Sequence, residues 1–245
     1  MSLLKIASVA CIALTLGACQ SLFQPNWRTP LEATRDTTEQ TRPGCASADC
    51  ALVNIDTVHF AKEPKLDALI EQRLLEMTGA SPLPTSLATY REQFLQTAAP
   101  NNSMYLQAKV REQHDGLVII ELSSYLDQGA THGEPGRAFI NYSRQQQKAL
   151  SLSDMLLPGK EDAFWKAAQV AHNSWLISTR LSLEAEFVKK YPFQKTPNVA
   201  LTYGGVILKY PTTTIAPYAL GHVELQIPYS RLDGILKPEL VPVRR

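Results

Sequence analysis

Ser103-Met-Tyr-Leu-Gln-Ala-Lys-Val-Arg-Glu-Gln-His114-Asp115-Gly116-Leu117-Val-Ile-Ile-Glu-Leu-Ser-Ser-Tyr-Leu126 reads as two strands folded back on a tight turn. Residues 103–112 alternate apolar and polar side chains, the period of a strand with one buried face. His114-Asp115-Gly116 is a hairpin turn, and residues 117–126 return as a second strand. A long hairpin in mid-chain makes an antiparallel sheet the frame on which the other elements must be placed.

Working outward, the same periodicities recur. Residues 51–60 predict a strand, with Val53 and Ile55 on one face. Pro64 opens a helix, and Leu66, Leu69, Ile70, Leu74 and Met77 follow at helical spacing. A second amphipathic helix spans about 86–97, with Leu87, Tyr90, Phe94 and Leu95 as its apolar stripe. After the hairpin comes a Gly-rich loop, Gln128 to Gly136, then an alternating strand over 137–144. Ser151 or Ser153 caps a short helix. Residues 161–190 are helical in pattern and stop at Pro192. Val199–Tyr203, a Gly204-Gly205 turn and Val206–Tyr210 form a second hairpin, and residues 221–228 a last strand with Val223, Leu225 and Ile227 inward. Hairpin-connected strands with grouped helices give the class α+β, with an antiparallel sheet packed with helices.

The N-terminus carries a different message. Lys5 precedes an apolar run from Ile6 to Ala18, too short for a bilayer-spanning helix, which ends in Leu16-Gly17-Ala18-Cys19. A basic start, a short apolar stretch and small residues before a cleavage point make a secretory signal peptide over 1–18. Leu-Gly-Ala-Cys resembles the lipobox of bacterial lipoproteins, which implies an acylated (palmitate-type) Cys19 as the mature N-terminus. Several acyl chains anchor durably, because each buried methylene contributes about 0.8 kcal/mol. Gln20 stands where an aspartate would hold a lipoprotein in the inner membrane, so the expected location is the periplasmic face of the outer membrane.

The chain has 245 residues, 44% of them hydrophobic, and a formal net charge of +1. That suits one large domain or two small ones, and the absence of a basic run argues against nucleic acid as a partner. The expected organisation is the signal (1–18), lipidated Cys19 with a flexible Thr-, Gln- and Pro-rich tether (19–49), a strand–helix–helix module (50–100), an α+β domain (101–236) and a tail (237–245). Trp27 in the tether is a candidate interfacial residue. With Cys11 in the signal and Cys19 lipidated, Cys45 and Cys50 remain. In an oxidising compartment so close a pair reads as a small-loop disulfide, with free thiols or a redox role as alternatives.

Two stretches carry a family resemblance. One is Leu126–Leu156, a Gly-His-Gly type loop followed by strand, turn and Leu-Ser-Asp-Met-Leu. The other is Ile215-Ala-Pro-Tyr-Ala-Leu-Gly-His-Val-Glu-Leu-Gln-Ile-Pro-Tyr-Ser-Arg-Leu232. Together they resemble the periplasmic domain of the RsiV-like family, whose members include lysozyme-binding anti-sigma ectodomains and modules attached to peptidoglycan deacetylases. The resemblance covers roughly residues 50–236 and implies a binding domain for lysozyme or a peptidoglycan-related ligand. The chain departs from the family in its lipid anchor, which replaces a transmembrane helix and argues against a direct anti-sigma role. Its loop is Gly129-Ala-Thr-His132-Gly133, where the family has Gly-Gly-Ala-His.

The expected binding surface is Gln128, Thr131, His132 and Glu134 of the loop together with Tyr203, Tyr210 and Tyr218. Tyrosines suit a binding face and sheet packing equally well. Asp127 and Glu224 would suit a cationic partner such as lysozyme. His132 and Glu134, two apart, are the one acid/base pair to weigh for an envelope-polymer hydrolase, against the plainer reading of a tight polar turn. A structural lipoprotein of an envelope assembly is the remaining alternative. No zinc-binding histidine spacing, nucleophile elbow or phosphate loop is present, so no catalytic residue, metal or cofactor is expected. Cys19→Ser should abolish incorporation of a palmitate analogue and move the protein from the membrane to the soluble fraction of a bacterial host, as read by metabolic labelling and fractionation.

Overall fold

The computed structural model describes residues 26–27 and 29–242. The signal segment, Cys19 and residues 243–245 lie outside them. The elements are β1 (Thr34–Thr41), β2 (Leu52–His59), α1 (Pro64–Glu76), α2 (Leu87–Thr97), β3 (Ser103–His114), β4 (Leu117–Asp127), β5 (Glu134–Ser143), β6 (Lys148–Ala149), α3 (Leu152–Met155), α4 (Glu161–Ser178), α5 (Ala185–Lys190), β7 (Val199–Thr202), β8 (Gly205–Lys209) and β9 (Glu224–Ile227). Six strands make one sheet in sequential order β1 to β6, and β7-β8-β9 make a second. The α+β class is as expected.

One pairing departs from an all-antiparallel sheet. β2 and β3 run parallel, with Leu52 opposite Ser103 and Asp56 opposite Gln107. Parallel neighbours need a long crossover, and α1 and α2 supply it. Their apolar stripes, including Leu66, Ile70, Leu74 and Leu95, pack on Val53, Leu106, Ile120 and Ile140 in one core. Strands from both sides of residue 100 share the first sheet, so the strand–helix–helix segment and the following hairpins build one layer together.

Residues 34–41, expected within the flexible tether, are the edge strand β1, antiparallel to β2. Both its faces are polar, so it carries no hydrophobic alternation to read; its order comes from backbone pairing and from side chains across the ladder. Arg35 makes a two-pronged bond to Asp56, at 2.6 and 2.9 Å. Arg42 donates to the Leu95 and Ala98 carbonyls at the end of α2. Trp27 is likewise held by the folded domain, with the Arg144 guanidinium 5.3 Å above its ring. The Cys45–Cys50 disulfide closes the loop between β1 and β2. At the other end Pro238–Leu240, expected in a tail, form a 3-10 turn, and Leu240 and Val241 pack on the second core.

The second core lies on the opposite face of the first sheet. Leu117 and Ile119 of β4 point into it, beneath Val199, Leu201, Leu225 and Phe164. The neighbouring Val118, Ile120 and Leu122 point to the helices. Leu117-Val-Ile-Ile120 is therefore covered on both faces, which is why it reads as a continuous apolar run. Beyond Glu121 only the helix side is covered.

The two sheets are joined through side chains. β7 pairs with β8 on one edge and turns the other toward the first sheet. Asn141 of β5, 3% exposed, donates its Nδ2–H to the Val199 carbonyl at 2.7 Å and accepts from the Leu201 N–H at 2.8 Å. The His114 Nε2–H donates to the Leu201 carbonyl at 2.8 Å, and the Glu112 carboxylate accepts from the Tyr203 N–H. Asn141→Ala would leave a buried carbonyl and a buried N–H of β7 without partners. At roughly 1–3 kcal/mol for each of the two orphaned groups, the variant should lose about 2–6 kcal/mol in chemical denaturation of the full chain.

Candidate functional site

The uncovered part of the first sheet is organised in rows. Residues facing away from the helices align across the strands as Asn54, Tyr105, Tyr125 and Pro135. The next row is Asp56, Gln107, Ser123 and Arg137. An aromatic row thus lies beside a polar one, and the two line a groove of about 200 Å³. Tyr105 and Tyr125 are tilted against each other with ring centres 6.3 Å apart.

The charges along the polar row are unevenly answered. Asp56 is 6% exposed, takes both prongs of Arg35, and accepts from Thr37 at 3.2 Å and Gln107 at 2.5 Å. Arg35 holds its carboxyl below the usual range against the opposing effect of burial, with Gln107 and Thr37 adding to the pull. Glu121, one position down the sheet, is pushed up by burial, and Lys209 and Arg111 outweigh that and hold it low. Lys209 bridges Glu121 and Glu224, the latter at 2.8 Å, and so ties the second sheet to the first. Arg137 has no such partner: its one hydrogen bond among the described residues is to the neighbouring Gly136 carbonyl, at 2.7 Å. Burial lowers its pKa, with the Glu121 charge opposing.

The loop between β4 and β5 forms a clasp beside this groove. The His132 imidazole stacks on Tyr218 with ring centres 4.7 Å apart and planes 16° from parallel. The Tyr218 hydroxyl donates to the Gly133 carbonyl at 3.4 Å. Gly133 is buried against Tyr125, and a Cβ there would sit 2.3 Å from the ring. The loop's base is thereby fixed, while Gln128, Thr131, His132 and Glu134 are exposed. Asp127 Oδ1 accepts from the Gly129 N–H at 2.9 Å and shapes the loop's first turn.

Of the residues expected to form one surface, the loop residues and Tyr218 come together. Tyr210 does not join them: it is 0% exposed and spends its hydroxyl on the Gln194 carbonyl at 2.8 Å. It directly follows β8, the central strand of the second sheet, and its ring fills the core. Tyr203 is 45% exposed, but it lies beside Glu112 and His114, at the opposite end of the hairpin from His132. The β7–β8 turn is Tyr203-Gly204, one residue earlier than the glycine pair suggests, because Thr202 pairs with Gly205. His132 and Glu134 share no hydrogen bond among the described residues; the imidazole is engaged by Tyr218 instead.

Sequence reasoning missed the sheet face itself. Tyr105, Gln107, Ser123, Tyr125 and Arg137 are the polar and aromatic half of the alternation that marked these segments as strands. A second cavity, of about 340 Å³, lies between β1–β2 and the helices, where His59 Nδ1 is 2.5 Å from Asp67. Among the described residues no three His, Cys, Asp or Glu side chains gather as metal ligands, and no helix is long and apolar enough to cross a membrane.

The architecture is that of a two-sheet α+β domain with an open sheet face and an adjoining clasp. The family described as "Protein of unknown function (DUF3298)" matches residues 153–230. The crystal structure of a DUF3298 family protein from Pseudomonas aeruginosa PAO1 is 58% identical, with 89% of this chain and all of that one aligned at a TM-score of 0.88. The chain therefore belongs to the DUF3298 family. A member from Bacteroides fragilis NCTC 9343 shares the fold at 17% identity, over 85% of this chain and 94% of that one, with a TM-score of 0.67. No curated protein matches.

Gly133→Ala must displace Tyr125, and Tyr218→Ala removes the stacking partner of His132. Both should raise hydrogen exchange across residues 128–133. Tyr203→Ala should leave that segment unchanged, because it lies at the other end of the hairpin.

Proposed function

We propose that the chain is a lipid-anchored binding protein of the bacterial envelope, of the RsiV-like ectodomain type. Held through acylated Cys19 at the periplasmic face of the outer membrane, it recognises lysozyme. The observation that carries this reading is the clasp: an exposed loop tip, Gln128 to His132, on a base held by Gly133 against Tyr125 and by the stack on Tyr218. A loop fixed before it meets its partner loses little conformational freedom on entering a concave enzyme cleft. Asp127 and Glu134 beside the tip suit a cationic protein. The family resemblance points to the same partner, with a peptidoglycan-related ligand as the related alternative.

Calorimetry of the full chain in detergent with lysozyme tests it. Saturable binding, weaker at high salt, is expected, and Tyr218→Ala should reduce affinity at least about tenfold, or 1.4 kcal/mol. Absence of binding at high protein concentration would overturn lysozyme as the partner. Retention on purified peptidoglycan sacculi that Tyr218→Ala abolishes would in that case assign the clasp to the polymer.

A further inference from the structure

The groove on the open sheet face is separate in chemistry from the clasp. Its aromatic row presents Tyr105, 41% exposed, and Tyr125, whose flat apolar faces suit the C–H face of a sugar ring. The parallel polar row offers hydroxyl and amide groups at the spacing of neighbouring strands, about 4.8 Å. Gln107 uses its Nε2 on Asp56 and retains its amide oxygen as an acceptor. The Ser123 hydroxyl takes no hydrogen bond among the described residues. At about 200 Å³ the groove is smaller than the roughly 300–1,000 Å³ of pockets for drug-sized ligands, so it suits one ring rather than a chain.

Charge selects which ring. Asp56 is neutralised by Arg35, and Glu121 and Glu224 by Lys209 and Arg111. Arg137 is the cation left over. It is half-buried on the groove, with no carboxylate within ion-pair distance among the described residues. A partly desolvated guanidinium with one backbone hydrogen bond has most of its five donors to give, and its planar fork matches a carboxylate in two parallel bonds. His222 adds no negative charge: its Nδ1–H donates to the Tyr210 carbonyl.

We infer that this groove binds a single carboxylate-bearing sugar, its ring against Tyr105 and Tyr125, its polar groups on Gln107 and Ser123, and its carboxylate on Arg137. The inference does not depend on lysozyme recognition, which uses the clasp, and either reading can fail alone.

The test is titration of the full chain in detergent with N-acetylmuramic acid, its methyl ester, N-acetylglucosamine and inorganic phosphate, followed by calorimetry or ligand-observed NMR. The acid should bind, with the ester and N-acetylglucosamine at least about tenfold weaker, because each lacks the charge that Arg137 answers. Arg137→Gln should bring acid and ester to the same affinity, while Arg137→Lys should recover only part of the preference. If Arg137→Gln does not fold, as judged by its melting curve, Tyr105→Ala at an exposed position carries the test and should weaken all three sugars together. Equal binding of acid and ester by the unaltered protein would overturn the inference. So would phosphate binding at least as tightly as the acid, or no binding of any sugar at millimolar concentration. Lysozyme titrated into the sugar-saturated protein separates the two sites: unchanged lysozyme affinity is expected, and mutual exclusion would overturn their independence.

Discussion

The outer edge of β7 governs how the molecule is put together. An edge strand leaves a row of N–H and C=O groups unpaired, and burying them without partners would cost more than the packing of one small sheet returns. Here Asn141, His114 and Glu112 reach across from the first sheet and answer that edge in sequence, at Val199, Leu201 and Tyr203. Asn141 imitates a backbone partner, offering one donor and one acceptor from a single amide. The second sheet is therefore fixed in position as well as in contact. It covers the Leu117 and Ile119 end of the first sheet and stops at Glu121.

What that placement leaves uncovered is a polar and aromatic face of the first sheet. The boundary is electrostatic: Lys209 from β8 meets Glu121 from β4, with Arg111 and Glu224 completing the group. Past the boundary the sheet carries tyrosines, amides, hydroxyls and Arg137 instead of apolar side chains. The connector after β8 crosses the end of the same sheet, and Tyr218 within it holds His132 in the clasp. Fixed loop and open groove thus follow from one docking arrangement, though they differ in the chemistry they present.

Much of the secondary structure was legible because period-2 and period-3.6 patterns come from burial on one face. Ser86 caps α2 and Ser151 closes a capping box on α3, both in keeping with residues favoured at helix starts. β1 was not legible, because a strand whose two faces are both polar owes its order to its neighbour. The contact of Trp27 with the folded domain was not legible for a related reason: its partner Arg144 is far away in sequence. Within the expected binding surface, local sequence placed the loop but could not separate Tyr210 from Tyr218. Both are tyrosines in β-rich sequence, and only the packing of two sheets makes one core and the other surface.

By itself the sequence determined the hairpins, the helices, the close cysteine pair and the α+β class, because each depends on residues near one another along the chain. The tertiary structure decided that β2 and β3 run parallel, that 34–41 belong to the sheet, and that β7 docks edge-on through Asn141. It also decided that Arg137 lies on the groove with no carboxylate within ion-pair distance among the described residues. These depend on which distant groups satisfy one another's hydrogen bonds and charges, and no local pattern of residues records that choice.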